Sequence, residues 1–244
     1  MAAGPGENQG DLTLVVSNAP LFPGTTYDIA FKNDGGGTPY GEIVCFVRGT
    51  LIRTPDGDVP VEQLKVGDRV LTHDGGAERI TWAAHRMILF PQGDDRPVWI
   101  APHAFGSDHP YAPTGVSPRH CLFRRDAAFQ LMFDTTEVLM AARDCVDGKT
   151  ITQEQGCRAV EYHHFMFDTH ALVWANGMLA ESFYPGPVAR QSLDPRARAA
   201  LIALYPTLAD TGASAPYPRV RRRVRGYEKQ ATITDPAALG VGAG

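Results

Sequence analysis

From Cys45 to about Pro187 the chain is cut by Gly, Pro and Asp into short apolar or alternating runs, spaced at roughly 8–12 residues. Arg69–Thr72, Arg79–Trp82, Met87–Phe90, Val98–Ala101, Cys121–Arg124 and Phe129–Phe133 are such runs, as are Glu137–Ala141, Tyr162–Phe167 and Ala171–Ala175. Pro55-Asp56-Gly57, Asp74-Gly75-Gly76, Asp147-Gly148 and Asn176-Gly177 punctuate them as turns. Many short strands without interleaved helices predict an all-β fold.

The flanks read differently. Residues 1–10 are polar, glycine-rich and expected to be disordered. Leu12–Ser17 and Tyr27–Phe31 are predicted as two short strands, and Asn33-Asp34-Gly35-Gly36-Gly37 as a linker. A segment this short builds little core, so residues 1–44 are either an accessory piece packed on the β-rich region or a detachable leader. Past Pro187, Asp194-Pro195-Arg196-Ala197 predicts a helix start, with Asp at the cap and Pro first. That helix should stop near Tyr205-Pro206. Residues 210–218 read as linker, Arg219 to Lys229 as a basic, solvated arm, and 235–244 as disordered. The expected division is 1–44, 45–187 and 188–244.

Composition narrows the function classes. Hydrophobic residues are 43% and charged residues 20%, as in an ordinary soluble domain. A net charge of −4 gives no general pull toward nucleic acid or anionic lipid, so a nucleic-acid partner is not expected. No apolar run approaches the roughly 18–20 residues of a membrane span, so no membrane partner is expected. Residues 1–10 lack the basic and apolar regions of a Sec signal. Synthesis in the cytoplasm is expected, with any export by a non-Sec route. Four cysteines, Cys45, Cys121, Cys145 and Cys157, do not make a disulfide scaffold in 244 residues. No CxxC or HxxxH spacing supports a metal site, and no cofactor is called for.

Three segments carry candidate chemistry: Cys45-Phe46-Val47-Arg48-Gly49-Thr50-Leu51-Ile52, Val116-Ser117-Pro118-Arg119-His120-Cys121-Leu122, and Trp174-Ala175-Asn176-Gly177-Met178-Leu179-Ala180-Glu181-Ser182-Phe183. A cysteine thiol, with pKa near about 8.5, is a nucleophile once deprotonated. Ser117 and His120 sit at i and i+3 across a turn begun by Pro118 and can point at one site. An imidazole with pKa near about 6.5 can give or take a proton at neutral pH, and a hydroxyl can hydrogen-bond a strained peptide.

In this order the segments resemble the Hint family, the self-processing domains of Hedgehog proteins and inteins, nearest its bacterial branch. Leu64-Lys65-Val66-Gly67-Asp68-Arg69-Val70-Leu71 is similar to that family's Leu-Lys-x-Gly-Asp-x-Val-Leu core, and Ser117-Pro118-Arg119-His120 to its Thr-x-x-His. The resemblance implies a horseshoe of long, curved, interleaved strands with pseudo-two-fold duplication, here followed by a short C-terminal helix. It implies that Cys45 attacks the Val44–Cys45 bond in an N–S acyl shift, with His120 as proton donor and Ser117 as orienter. The late Asp that tunes the intein nucleophile falls near His164.

The end of the match departs from inteins. Glu181 and Ser182 stand where an intein has His-Asn, and serine cannot cyclise as asparagine does. Ligation of the flanks is therefore not expected. The ending resembles the Hedgehog Leu-Ala-Ser-Cys-Tyr, but no sterol-binding region follows, and His85 lies where the sterol-activating Asp would be. The implied substrate is the chain's own N-terminal segment, with water or a small thiol or amine as acceptor. The alternatives are a silent Hint scaffold that binds a protein partner in a secreted or phage-like assembly, and a cysteine hydrolase acting in trans. Zinc held adventitiously by Cys45 and His120 is a separate possibility. His163 and His164, adjacent in an alternating strand, are expected one inside and one outside. Glu181 is expected at a solvated strand end.

Overall fold

The computed structural model describes residues 44–210, 212, 215–225 and 228. The expected strands Leu12–Ser17 and Tyr27–Phe31, and the final stretch 235–244, lie outside the described residues. The described residues are built from two sheets and three short α-helices.

The six-stranded sheet runs Ile151–Gln153, Val98–Ile100, Thr114–Val116, Phe46–Val47, Ala159–Met166, Trp82–Leu89. The nine-stranded sheet has the path Arg222–Arg223, Glu137–Ala141, Cys121–Arg125, Met178–Glu181, Leu172–Ala175, Leu51–Thr54, Gly57–Pro60. Arg69–Thr72 branches from Leu172–Ala175 and carries Gly76–Arg79. All pairs are antiparallel except Glu137–Ala141 with Arg222–Arg223.

Turn chemistry sets the hairpins. Asn176 and Gly177 both have positive φ, 46° and 87°, as a two-residue hairpin turn requires, and they join Leu172–Ala175 to Met178–Glu181. A Cβ on Gly177 would also lie 2.7 Å from the Asp108 carbonyl oxygen, so only glycine fits.

One register determines the site. Phe46 pairs with His163 on one side and with Val116 on the other, both antiparallel. One step back along the chain, Cys45 therefore falls beside His164 and Ser117.

Several expectations need correction. Phe129–Phe133 is not a strand but lies in the α-helix Ala128–Phe133. Ala-Phe-Gln-Leu-Met-Phe lacks β-branched residues, and the Asp126 carboxylate accepts from the Ala128 N–H at 2.8 Å to start the turn. Phe129 and Phe133, four apart, are buried on one helical face, whereas Leu131 is 92% exposed. Arg79–Trp82 and Met87–Phe90 are not separate strands. Trp82–Leu89 is one strand of 8 residues, paired along its whole length with Ala159–Met166. The predicted helix is present as Pro195–Leu204, with the Asp194 side chain accepting from the Arg196 and Ala197 N–H groups.

The basic segment is not a solvated arm where it is described. Arg222–Arg223 adds a strand to the nine-stranded sheet, and Val224 is buried with Phe129, Phe133, Val138 and Met140. Arg221 pairs with Glu137 at 2.6 Å and Asp74 at 2.7 Å. Among the described residues no helix is long and apolar enough to cross a membrane.

Candidate active site

Cys45 lies in a core cluster with Val44, Trp82, Tyr162, Met166, Phe183, Leu201 and Leu208. It is 0% exposed, and Val44 before it is also buried. Burial pushes the thiol pKa well above its ordinary value, because a thiolate would lose its hydration; a hydrogen bond with Ser117 pulls the other way.

The thiol sulfur lies 3.1 Å from His164 Nδ1. Burial drives the His164 pKa down to about 3, reinforced by the neighbouring His163 and His85. The imidazole is therefore neutral at pH 7. With a neutral thiol donating, Nδ1 accepts and the ring proton sits on Nε2, a buried atom with no hydrogen-bond partner among the described residues. The ring stacks on Trp82, with centroids 5.2 Å apart and planes at 11°, and Phe183 flanks it at 5.5 Å. Trp82 in turn donates its indole N–H to the Ala197 carbonyl at 3.3 Å. The helix Pro195–Leu204 thus fixes the tryptophan that orients the histidine.

Ser117 and His120 meet the backbone of Cys45. The Cys45 N–H donates to Ser117 Oγ at 3.0 Å, and the Ser117 N–H donates to the Cys45 carbonyl at 2.9 Å. His120 Nδ1 lies 3.0 Å from that same carbonyl oxygen; a carbonyl only accepts, so Nδ1 carries the hydrogen. The predicted turn is present: the His120 N–H donates to the Ser117 carbonyl at 3.0 Å. Burial lowers the His120 pKa to about 4, while Glu181 and the Cys45 carbonyl act in the opposite sense.

Glu181 is not solvated. It is 0% exposed, accepts the Cys121 N–H at 3.0 Å, and has His170 Nε2 at 3.1 Å and Arg219 at 2.8 Å. Burial opposes its charge, but His170 and Arg219 prevail and hold the carboxyl well below its usual range. The Arg219 guanidinium also covers the Tyr184 ring at 3.8 Å. Glu181, His170 and Trp82 escape a reading of local pattern, because each acquires its place through a residue remote in sequence.

The alternation of His163 and His164 does not leave one in solvent: they are 8% and 3% exposed. His163 stacks on His85 across the strand pair and lies 2.9 Å from Glu161. A cavity of about 550 Å³ is lined by His85, His163 and His164 with Arg48, Glu62 and Glu161. All four cysteines are free. Among the described residues no group of three or more His, Cys, Asp or Glu could hold a metal ion.

No curated protein matches the chain. Among solved structures, the bacterial intein-like domain from Clostridium thermocellum is 15% identical, covers 57% of this chain and 97% of its own, and has a TM-score of 0.35. The AceL NrdHF class 3 split intein, a splice-inactive variant, is 14% identical with coverages of 57% and 97% and a TM-score of 0.40. The MchDnaB-1 intein is 19% identical with coverages of 56% and 98% and a TM-score of 0.32. The decisive match is to the family described as the Hint domain, whose model aligns with residues 44–187 and takes in Cys45, Ser117, His120, His164 and Glu181. Because that match spans more than half of the 244 residues, the chain belongs to the Hint domain family and has its all-β fold.

Proposed function

We propose that this Hint domain cuts its own chain at Val44–Cys45 by an N–S acyl shift. The reading rests above all on Cys45, whose two reacting atoms each have a polar partner. Its sulfur meets His164 Nδ1 at 3.1 Å, and its amide nitrogen, the leaving group, meets Ser117 Oγ at 3.0 Å.

The Cys45 S–H proton passes to His164 Nδ1 as sulfur attacks the Val44 carbonyl carbon. Both groups rest neutral, so transfer accompanies attack. The Val44 carbon–nitrogen bond then breaks, and the nitrogen takes a proton from His120 Nδ1, which rests on the Cys45 carbonyl, as the proton that His164 took from the thiol returns to His120 Nε2, so that the thiol proton ends on the Cys45 amine and both imidazoles end neutral. Ser117 holds that nitrogen in place. The product is a thioester of Val44 on Cys45, with the Cys45 amine free.

Water or a small thiol or amine then attacks the thioester and releases residues 1–44. On this reading the acceptor approaches through the cavity that His164 lines. Ser182 cannot cyclise, so the flanks are not ligated. On this reading, residues 1–44 are the segment released, 45–187 the processing domain, and 188–244 its C-terminal helix and basic tail.

A second reading, a scaffold that keeps the fold and serves as a binding or structural part of a larger assembly, is favoured by the fully buried, high-pKa thiol. Intact mass decides between them. The purified chain is held with dithiothreitol at about pH 8, near the ordinary thiol pKa, beside Cys45→Ala. A fragment beginning at Cys45, absent from the variant, supports self-cleavage; an unchanged chain favours the scaffold.

A further inference from the structure

The turn that carries His120 has a second face. Behind it lies a cavity of about 430 Å³ lined by Arg119, Arg143, Arg219, Arg223 and Arg225, with Asp144 as the single carboxylate. The volume falls within the roughly 300–1,000 Å³ of small-molecule sites. Two parts of the chain build it. Arg119, Arg143 and Asp144 lie within the family match, whereas Arg219, Arg223 and Arg225 come from the segment after it. That segment is held in place by its strand on Glu137–Ala141 and by the Val224 N–H donating to the Leu139 carbonyl at 2.8 Å.

Carboxylates outside the lining meet part of it: Arg219 meets Glu181 at 2.8 Å and Arg143 meets Asp94 at 3.3 Å. Each uses one terminal nitrogen, and a guanidinium has five N–H donors. With five guanidinium groups and one carboxylate, the lining is basic and favours an anion. Planar guanidinium forks suit tetrahedral phosphate oxygens, which accept two parallel bonds from each.

We propose that this cavity binds a compact phosphate-bearing polyanion, of the size of a pyrophosphate or short polyphosphate group. The inference is independent of self-cleavage and holds or fails without it. Calorimetric titration of the full chain with sodium pyrophosphate, at fixed ionic strength, tests it. The expected result is saturable one-to-one binding, at least tenfold weaker in the Arg223→Ala/Arg225→Ala double variant and unchanged in Arg222→Ala. Arg222 lies on the Phe133 ring and pairs with Glu228, outside the lining. If the double variant does not fold, Arg143→Gln, in the part of the lining within the family match, should show the same weakening.

Absence of saturable heat, or an unchanged Kd in the lining variants, overturns the site. Equal binding of citrate overturns the assignment to phosphate. Much tighter binding of a short single-stranded oligonucleotide, with a steep salt dependence, assigns the surface to nucleic acid instead.

Discussion

Cys45 Sγ and His164 Nδ1 stand 3.1 Å apart although 119 residues separate them in the chain. Neither is charged at neutral pH, because burial lifts one pKa and lowers the other. The pair is a buried thiol–imidazole couple, held by Trp82 on one face of the imidazole and positioned by the pairing of Phe46 with His163.

His164→Gln keeps a polar side chain in the slot but removes the base. General-base assistance contributes about 10²–10⁴-fold. The rate at which the Cys45 fragment appears in dithiothreitol, followed by mass spectrometry, should fall by about 10²-fold or more. An unchanged rate would remove His164 from the reaction.

Ser117→Ala deletes the acceptor of the Cys45 N–H in the buried core. An orphaned buried donor costs about 1–3 kcal/mol, and urea denaturation should show a loss of that size. Cleavage should slow as well. Ser117→Thr, which retains the hydroxyl, should restore both.

The depressed histidines make stability pH-dependent. His120 falls from 6.5 to about 4 and His164 from 6.5 to about 3 on folding. Between those values the unfolded chain binds more protons, so stability rises with pH. The histidine contribution is fully present above about pH 6.5 and is lost as pH falls through that range toward 4 and 3. Glu181, held below its usual value, acts in the same direction but only below about 4.5. Melting temperature should drop between pH 7 and 5, and His164→Gln should flatten that drop.

Arg219→Ala strips a guanidinium from a carboxylate that is 1% exposed. Removing one partner of a buried pair costs about 3–5 kcal/mol. Arg219 is 25% exposed and His170 remains beside Glu181, so about 1–3 kcal/mol is expected here. Glu181→Gln in the same chain should recover part of it, because the amide oxygen still accepts the Cys121 N–H. Denaturation of the two single variants and the double measures this coupling.

Much of the scaffold was legible locally. Glu137–Ala141 announced itself by an apolar run, the Asn176-Gly177 turn by its residues, and the helix at Pro195 by its cap. The Ser117–His120 turn is legible in Pro118 and the i, i+3 spacing, but its nearness to Cys45 follows only from the resemblance to the Hint family. What escaped was decided by tertiary partners. Phe129–Phe133 is an apolar run too short for periodicity to separate strand from helix, and only Asp126 and the buried i, i+4 phenylalanines resolve it. Glu181 reads as a polar strand end until Arg219, 38 residues later, returns to neutralise it. The basic segment reads as solvated because its acceptors, Glu137 and Asp74, lie 84 and 147 residues away.

The most direct measurement is the mass of whatever is released when the full chain is held with and without hydroxylamine, beside Cys45→Ala. A thioester predicts a segment ending in a Val44 hydroxamate with hydroxylamine, and no release from the variant. An intact chain in both conditions, or a Val44 carboxylate that forms despite hydroxylamine and persists in Cys45→Ala, would contradict the acyl shift.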